Sequence, residues 1–219
     1  MHAGRVLRAV LRAGRTARVM FAAAPSQSAT LVAEDLDWAS VEFFHMDEYI
    51  GLATHAPQGF ANWLAENFVR YTPGAVFHRI DPAGAPEAEA ARYEALLGSE
   101  PFDLVLLGLG INGHLAFNDP PDFADPRGVR VVMLDDTSRH QQVAEGHFET
   151  FDDVPETAVT VTIARLLNAD VVIASIPGRE KRTAVAQTLR EPIGAMHPGT
   201  ALRTHPNTTL YVDAEADPR

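Results

Sequence analysis

Continuous apolar runs alternate along this chain with segments whose apolar residues recur at helical spacing. The clearest run, Leu104 to Leu107, is of the kind expected for a strand buried on both faces. A second, Val41 to His45 (VEFFH), is short and rich in β-branched and aromatic residues, and it too predicts a strand. Further strands are predicted at 17–23, 129–134, 158–161, 170–176 and 208–212. Helical spacing marks residues 3–13, where Val6, Leu7, Val10 and Leu11 recur in register and Gly14 reads as a C-cap. It also marks 57–69, whose Phe60, Trp63, Leu64 and Phe68 form one face, read as core rather than as a ligand platform. Helices are predicted again at 87–97, with a solvated acidic face, at 163–167 and at 179–189. The Pro- and Gly-rich stretch 73–86 reads as a connection, and 122–127 as a polar loop. Strand and helix alternate without a detectable repeat. That predicts one α/β domain over 1–219, Rossmann-like and three-layered, with a largely parallel central sheet.

Both of the clearest strands run straight into polar residues. After Leu107 come Gly108, Gly110 and Gly113, which let the backbone turn tightly, and then Asn112, His114, Asn118 and Asp119 are gathered in one short loop. After Val41–His45 come Asp47, Glu48 and Gly51. Ligands of open α/β sheets bind outside the carboxyl ends of the strands, so Asp47 and His114 are expected in one crevice although they lie far apart in the chain. An unperturbed imidazole exchanges protons near neutral pH, which makes a histidine such as His114 suited to proton transfer; the alternative is a structural histidine, which the glycine turns and the nearby Asp119 argue against. Asp119 can hold the imidazole in one tautomer, or serve as a turn or cap residue before Pro120. Asp47 reads either as a general base whose pKa is raised by burial or as a helix cap, and Glu48 as its partner or as a solvated side chain.

Residues 24–28 (APSQS) form a turn leading into a predicted helix, where a phosphate-cradling loop would sit. Lys181 is predicted in the first turn of the helix after Pro177-Gly178. A cation there opposes the helix dipole, which points either to a bound anion or to a solvated lysine. His45, His55, His78, His140, His147, His197 and His205 have no comparable context and read as structural. A metal held by His114, Asp119, Asp122 and Asp125 matches no ligand spacing, so no metal or cofactor is expected.

Composition narrows the field. With 219 residues, 46% of them apolar, the chain can bury a core unaided. It has no cysteine, which removes disulfides, thiolate metal sites and a cysteine nucleophile and fits a reducing cytoplasm. The start, with arginines among apolar residues at helical spacing, reads as helix then strand rather than as a signal, and no run approaches the ~20 apolar residues of a membrane span. A formal net charge of −11 argues against nucleic-acid binding. A small anionic substrate needs only a local cation cluster, for which Arg127, Arg130, Arg139, Lys181, Arg182 and Arg203 are candidates.

The stretches FHMDEYIGL (44–52) and LGLGINGHLAFNDPP (107–121) resemble the glucosamine-6-phosphate deaminase (isomerase) family, which shares a superfamily with the 6-phosphogluconolactonases. The lactonase branch has GHTASLFP-like residues where this chain has GHLAFNDPP, and the similarity runs from ARVMFAA to TALRTHPNTTLYVD. The resemblance implies ring opening of an aminosugar phosphate, proton movement between C2 and C1, and loss of ammonia to give a ketose phosphate. It implies that Asp47 shuttles the proton, His114 assists ring opening, and Asn112 and Asp119 orient the histidine, Asp119 standing where the family usually has Glu. Lys181, in the G-x-x-K of 178–181, matches a phosphate-binding lysine. Ser26, Gln27, Ser28, Glu48, Gly110, Gly113 and Arg139 complete the expected substrate contacts.

Two departures stand out. The family's Ser/Thr-Gly-Gly-Ser/Thr-Pro phosphate loop is PSQSA here, without a glycine, leaving Ser26, Gln27 and Ser28 to donate from side chains. A second phosphate arginine of the family falls at Ala144. The chain also begins closer to its first strand than family members usually do, so an N-terminal helical segment of theirs is expected to be missing. Beyond a small-molecule sugar phosphate, the resemblance is compatible with a homo-oligomer. The rival readings are lactone hydrolysis and a sugar-phosphate sensor that has lost turnover.

Overall fold

The structure is a computed structural model that describes residues 2–28, 36–123 and 125–219. Helix α1 (His2–Arg12) leads into β1 (Ala17–Phe21), and the four-residue α2 (Pro25–Ser28) follows it. Ala29 of the PSQSA loop and the helix expected beyond it lie outside the described residues, as does the side chain of Ser28. Then come β2 (Val41–His45), β3 (Asp47–Ile50), α3 (Phe60–Asn67), β4 (Val76–His78) and α4 (Pro86–Leu97). The second half runs β5 (Leu104–Leu107), β6 (Val129–Met133), α5 (Asp136–Ala144), β7 (Thr157–Val161), α6 (Ile163–Leu166), β8 (Val172–Ile176), α7 (Arg182–Arg190) and β9 (Thr208–Val212).

Six strands form one parallel sheet in the order β4-β2-β1-β5-β8-β9. β5 lies near its centre, Val105 opposite Met20 of β1 and Val172 of β8, and all four of its residues are buried. Alternate side chains leave the sheet on opposite faces and meet different helices. Met20, Val105 and Leu107 pack with Tyr93 and Leu97 of α4 and with Ala184 and Val185 of α7. Val19, Phe21, Leu104 and Leu106 pack with Leu7 of α1 and with Leu64 of α3. The result is the expected three-layer α/β fold around a parallel sheet.

A second, antiparallel sheet in the order β3-β7-β6 was not anticipated. It carries its own cluster, in which Tyr49, Phe60, Phe117 and Phe148 pack together. A single residue, Met46, separates β2 of the first sheet from β3 of the second. His45 ends β2 opposite Phe21, Asp47 begins β3 opposite Thr160, and between them the carbonyl of Met46 accepts a hydrogen bond from Val161 N at 2.8 Å. Asp47 is thereby fixed at the corner where the two sheets meet.

Several boundaries differ from expectation. The connection at 73–86 contains β4, short enough to escape a pattern search. The helix expected over 57–69 is shorter, starting after Gly59 and passing into a 3₁₀ turn at Val69–Tyr71. Lys181 ends a 3₁₀ turn, Arg179–Lys181, and caps α7 rather than lying inside it. Helix α5 was not expected at all; Asp135 caps it, its side chain accepting from Ser138 N at 3.0 Å.

Candidate active site

The loop after β5 is folded around its histidine. Gly110 N donates to the carbonyl of His114 at 3.0 Å, and Gly113, with φ of +86°, turns the chain back on itself. A Cβ at Gly110 would collide with the His114 ring, so glycine there is a condition for the ring's position. The far side of the loop is tied to β7: Phe117 N donates to Thr160 Oγ1 at 3.0 Å, and Asn118 Nδ2 donates to the Val161 carbonyl at 2.9 Å.

One carboxylate oxygen organises the histidine. Asp119 Oδ1 lies 2.8 Å from His114 Nδ1 and accepts from Asn112 Nδ2 at 2.9 Å and from Ser138 Oγ at 2.5 Å. Asn112 also accepts from His114 N at 3.1 Å, so it holds both the backbone and, through Asp119, the ring. Burial alone would raise the Asp119 carboxyl, but its hydrogen bond and charge interaction with His114 and its bonds from Asn112 and Ser138 outweigh that and hold it below the usual range. With Nδ1 engaged, Nε2 is the ring nitrogen left for a ligand.

His114 and Asp47 line the same cavity, ≈ 400 Å³, as the strand-end argument predicted. Its walls come from the carboxyl ends of β1, β2, β5 and β8, and α5 and its C-terminal turn add Gln141, Gln142, Glu145 and His147. The Asp47 carboxyl is driven well above the ordinary range, first by burial and then by the like charges of Glu48 and Asp119. A carboxyl so placed keeps its proton at a pH where an ordinary carboxylate has lost it. Ser26, Gly110 and Lys181 also line this cavity.

Other expected contacts are placed elsewhere. Glu48 is fully buried beneath the start of α3, its oxygens accepting from Tyr49 N and Phe60 N at 3.0 Å and from Ala61 N at 2.8 Å. It satisfies the first N–H groups of a helix that has no side-chain cap, and so is neither solvated nor part of the cavity wall. Burial pushes its carboxyl up to about 7 against the pull of those three donors and of Arg79. Arg139 does not line this cavity. Its guanidinium lies 3.9 Å over the Phe151 ring and donates to the carbonyls of Phe151 and Val154, which fixes the segment after α5. Gln27 is buried and donates to the Leu107 carbonyl at 2.9 Å, bracing the strand end from behind. Gly113 supports the loop without lining the cavity.

Among the other cation candidates, Arg127 pairs with Asp125 at 2.7 Å, Arg130 pairs with Asp122, and Arg203 donates to the Leu189 carbonyl at 3.1 Å. Asp122 and Asp125 are thus occupied by arginines instead of standing with His114 and Asp119. Ser138, Gln141, Glu145 and His147 went unrecognised in the sequence, His147 having been read as structural. The available signal was the Asp135 cap that opens α5.

The family described as glucosamine-6-phosphate isomerases/6-phosphogluconolactonase matches residues 2–211. A glucosamine-6-phosphate deaminase of Listeria monocytogenes is 34% identical over 191 residues, 86% of this chain and 80% of that one. One from Streptococcus sanguinis is 34% identical over 187 residues, 85% and 78% of the two chains. Among solved structures, a monomeric glucosamine-6-phosphate deaminase superposes with a TM-score of 0.83 at 27% identity, covering 96% of this chain and 93% of that one. A 6-phosphogluconolactonase from Thermotoga maritima shares the fold, with a TM-score of 0.78 at 20% identity over 96% and 91%. The chain belongs to the glucosamine-6-phosphate isomerase/6-phosphogluconolactonase family.

Proposed function

We propose that this protein is an isomerising deaminase of an aminosugar phosphate, converting a hexosamine 6-phosphate and water to a ketose phosphate and ammonia. The observation that carries this reading is the pairing, across one cavity, of an oriented histidine with a buried carboxyl of raised pKa. In this mechanism His114 Nε2 exchanges a proton with the ring oxygen, and the sugar opens to its aldehyde. Asp47 then removes the C2 proton and returns it to C1, while the amine gives up one proton and the aldehyde oxygen takes one up, leaving a C2 imine beside a C1 alcohol. Water adds at C2, and ammonia departs to leave the ketone. Each proton transfer by a positioned group contributes about 10²–10⁴-fold.

Asp119, Asn112 and Ser138 act through His114 and are positioning residues. Lys181 and Ser26 are assigned to the phosphate end, since both line the cavity and Lys181 supplies charge. The Listeria and Streptococcus relatives, both glucosamine-6-phosphate deaminases, support the same reaction, and the monomeric deaminase supports a site complete within one chain. We place the reaction in the cytoplasm, on a free sugar phosphate and without nucleic acid; among the described residues no helix is long and apolar enough to cross a membrane.

The test is release of ammonia and ketose phosphate from a panel of hexosamine 6-phosphates, with His114→Ala and Asp47→Asn alongside. Equal yields of the two products from the unmodified chain, lost in both folded variants, are expected. Absence of ammonia from every hexosamine 6-phosphate would overturn the reading, and hydrolysis of 6-phosphogluconolactone in the same assay would replace it.

A further inference from the structure

Among the described residues that line the cavity, Lys181 is the one permanent cation, and it already has a partner. Its Nζ lies 3.6 Å from Glu145 Oε1; the lysine side chain is 12% exposed and the glutamate side chain 41%, so the ammonium is sheltered while the carboxylate reaches water. Glu145 is set at the C-terminal end of α5 and held from two further directions. Gln141 Nε2 donates to its Oε1 at 2.7 Å, and His147 Nε2 stands 3.6 Å from its Oε2. Burial would raise the Glu145 carboxyl, but His147, Lys181 and Gln141 outweigh it and keep it below its ordinary value, hence ionised at neutral pH. Glu180 brings a second carboxylate to the same wall. An arriving phosphate dianion therefore meets a lysine already neutralised and two like charges.

Resting on the deaminase reading, we infer that Glu145 is a specificity-determining residue that competes with the substrate's phosphate for Lys181, narrowing the preference for phosphorylated over unphosphorylated hexosamine. The chemistry differs for the two substrates. A phosphate must displace the Glu145 carboxylate to reach Nζ. A free hydroxyl can donate to the carboxylate and accept from the ammonium, leaving the pair in place.

The experiment compares kcat/KM for glucosamine 6-phosphate and glucosamine in the unmodified chain, Glu145→Gln, Lys181→Gln and the double variant. Glutamine at 145 can still accept from Gln141, so the substitution removes charge while keeping the local bond. The phosphorylated-to-unphosphorylated ratio is expected to rise about tenfold or more in Glu145→Gln through a lower KM for the phosphate ester. The same change in the Lys181→Gln background is expected to have a much smaller effect, since only the like-charge repulsion is then relieved. A ratio that does not move, or moves equally in both backgrounds, would overturn the inference.

Protection from thermal unfolding by inorganic phosphate gives a readout independent of turnover, with the half-saturating concentration expected to fall about tenfold in Glu145→Gln. If no ammonia is released but this shift is seen, only the proposed reaction fails. If ammonia is released while the ratio and the phosphate midpoint stay put, the inference fails and the reaction stands.

Discussion

His114 Nδ1 and Asp119 Oδ1 lie 2.8 Å apart, and the same carboxylate oxygen also takes the hydrogen bonds of Asn112 and Ser138. Three donors converging on one oxygen fix the ring about its axis and settle which nitrogen faces the ligand. Asp119→Asn puts an amide where these donors need an acceptor, and the ring can turn or change tautomer. We expect kcat to fall roughly 10²–10⁴-fold with little change in KM, as for the loss of an oriented acid–base group. Steady-state kinetics checks this; a loss confined to KM would show that Asp119 serves binding instead.

Ser138 gives a smaller and separable effect. Its hydroxyl reaches both Asp119 Oδ1, at 2.5 Å, and His114 Nδ1, at 3.0 Å. A hydrogen bond to a charged group is worth about 1.5–3 kcal/mol, so Ser138→Ala should lower kcat about 10- to 100-fold. Combined with Asp119→Asn it should add little, because both act through one ring. Full additivity in a double-mutant cycle would place Ser138 in a separate role.

Gly110 tests the shape of the loop rather than its charge. Its backbone has no positive φ, so alanine is not strained there; the obstacle is the His114 ring, into which the new Cβ would project. Gly110→Ala is expected to keep the fold, with an unchanged circular dichroism spectrum, while kcat drops about a hundredfold because a displacement of the ring of about 1 Å is enough for that. Retained kcat would mean that His114 does not work from the position seen here.

The parts of this arrangement that were legible in the sequence share one property: a short, largely apolar run that leads directly into polar residues. Leu104–Leu107 and Val41–His45 announce buried strands because nothing else needs such runs, and strand ends in an α/β sheet locate a ligand. The corner between the sheets was not legible. β3 reads DEYI, two acids in a strand buried throughout, which is possible only because Asp47 faces the cavity and Glu48 is consumed by backbone donors. Helix α5 was hidden for a related reason. Its inward face is made of Ser138, Arg139, Gln141 and Gln142, so it buries polar groups and shows no apolar period. Nor could the sequence show the contacts of Arg139, whose guanidinium is set against two carbonyls and an aromatic face outside the cavity lining.

Asp47 makes the protein's pH response specific. Burial, then Glu48 and Asp119, raise its carboxyl in the folded state, so the folded chain keeps a proton that the unfolded chain has released. With more protons bound folded than unfolded, stability falls as pH rises; this contribution is complete below the unfolded value of about 4 and is lost as pH climbs through the raised folded value. Asp47→Asn has no such titration. In urea unfolding at pH 5 and pH 8, the variant should therefore gain on the unmodified chain at the higher pH, even though it is expected to be inactive. The same shift governs turnover, because Asp47 must be ionised to take the C2 proton. The acid limb of kcat/KM is expected well above the ordinary carboxylate value of about 4. A limb near 4, with parallel stability profiles for the two chains, would mean that Asp47 is ionised throughout and that its burial leaves its chemistry unchanged.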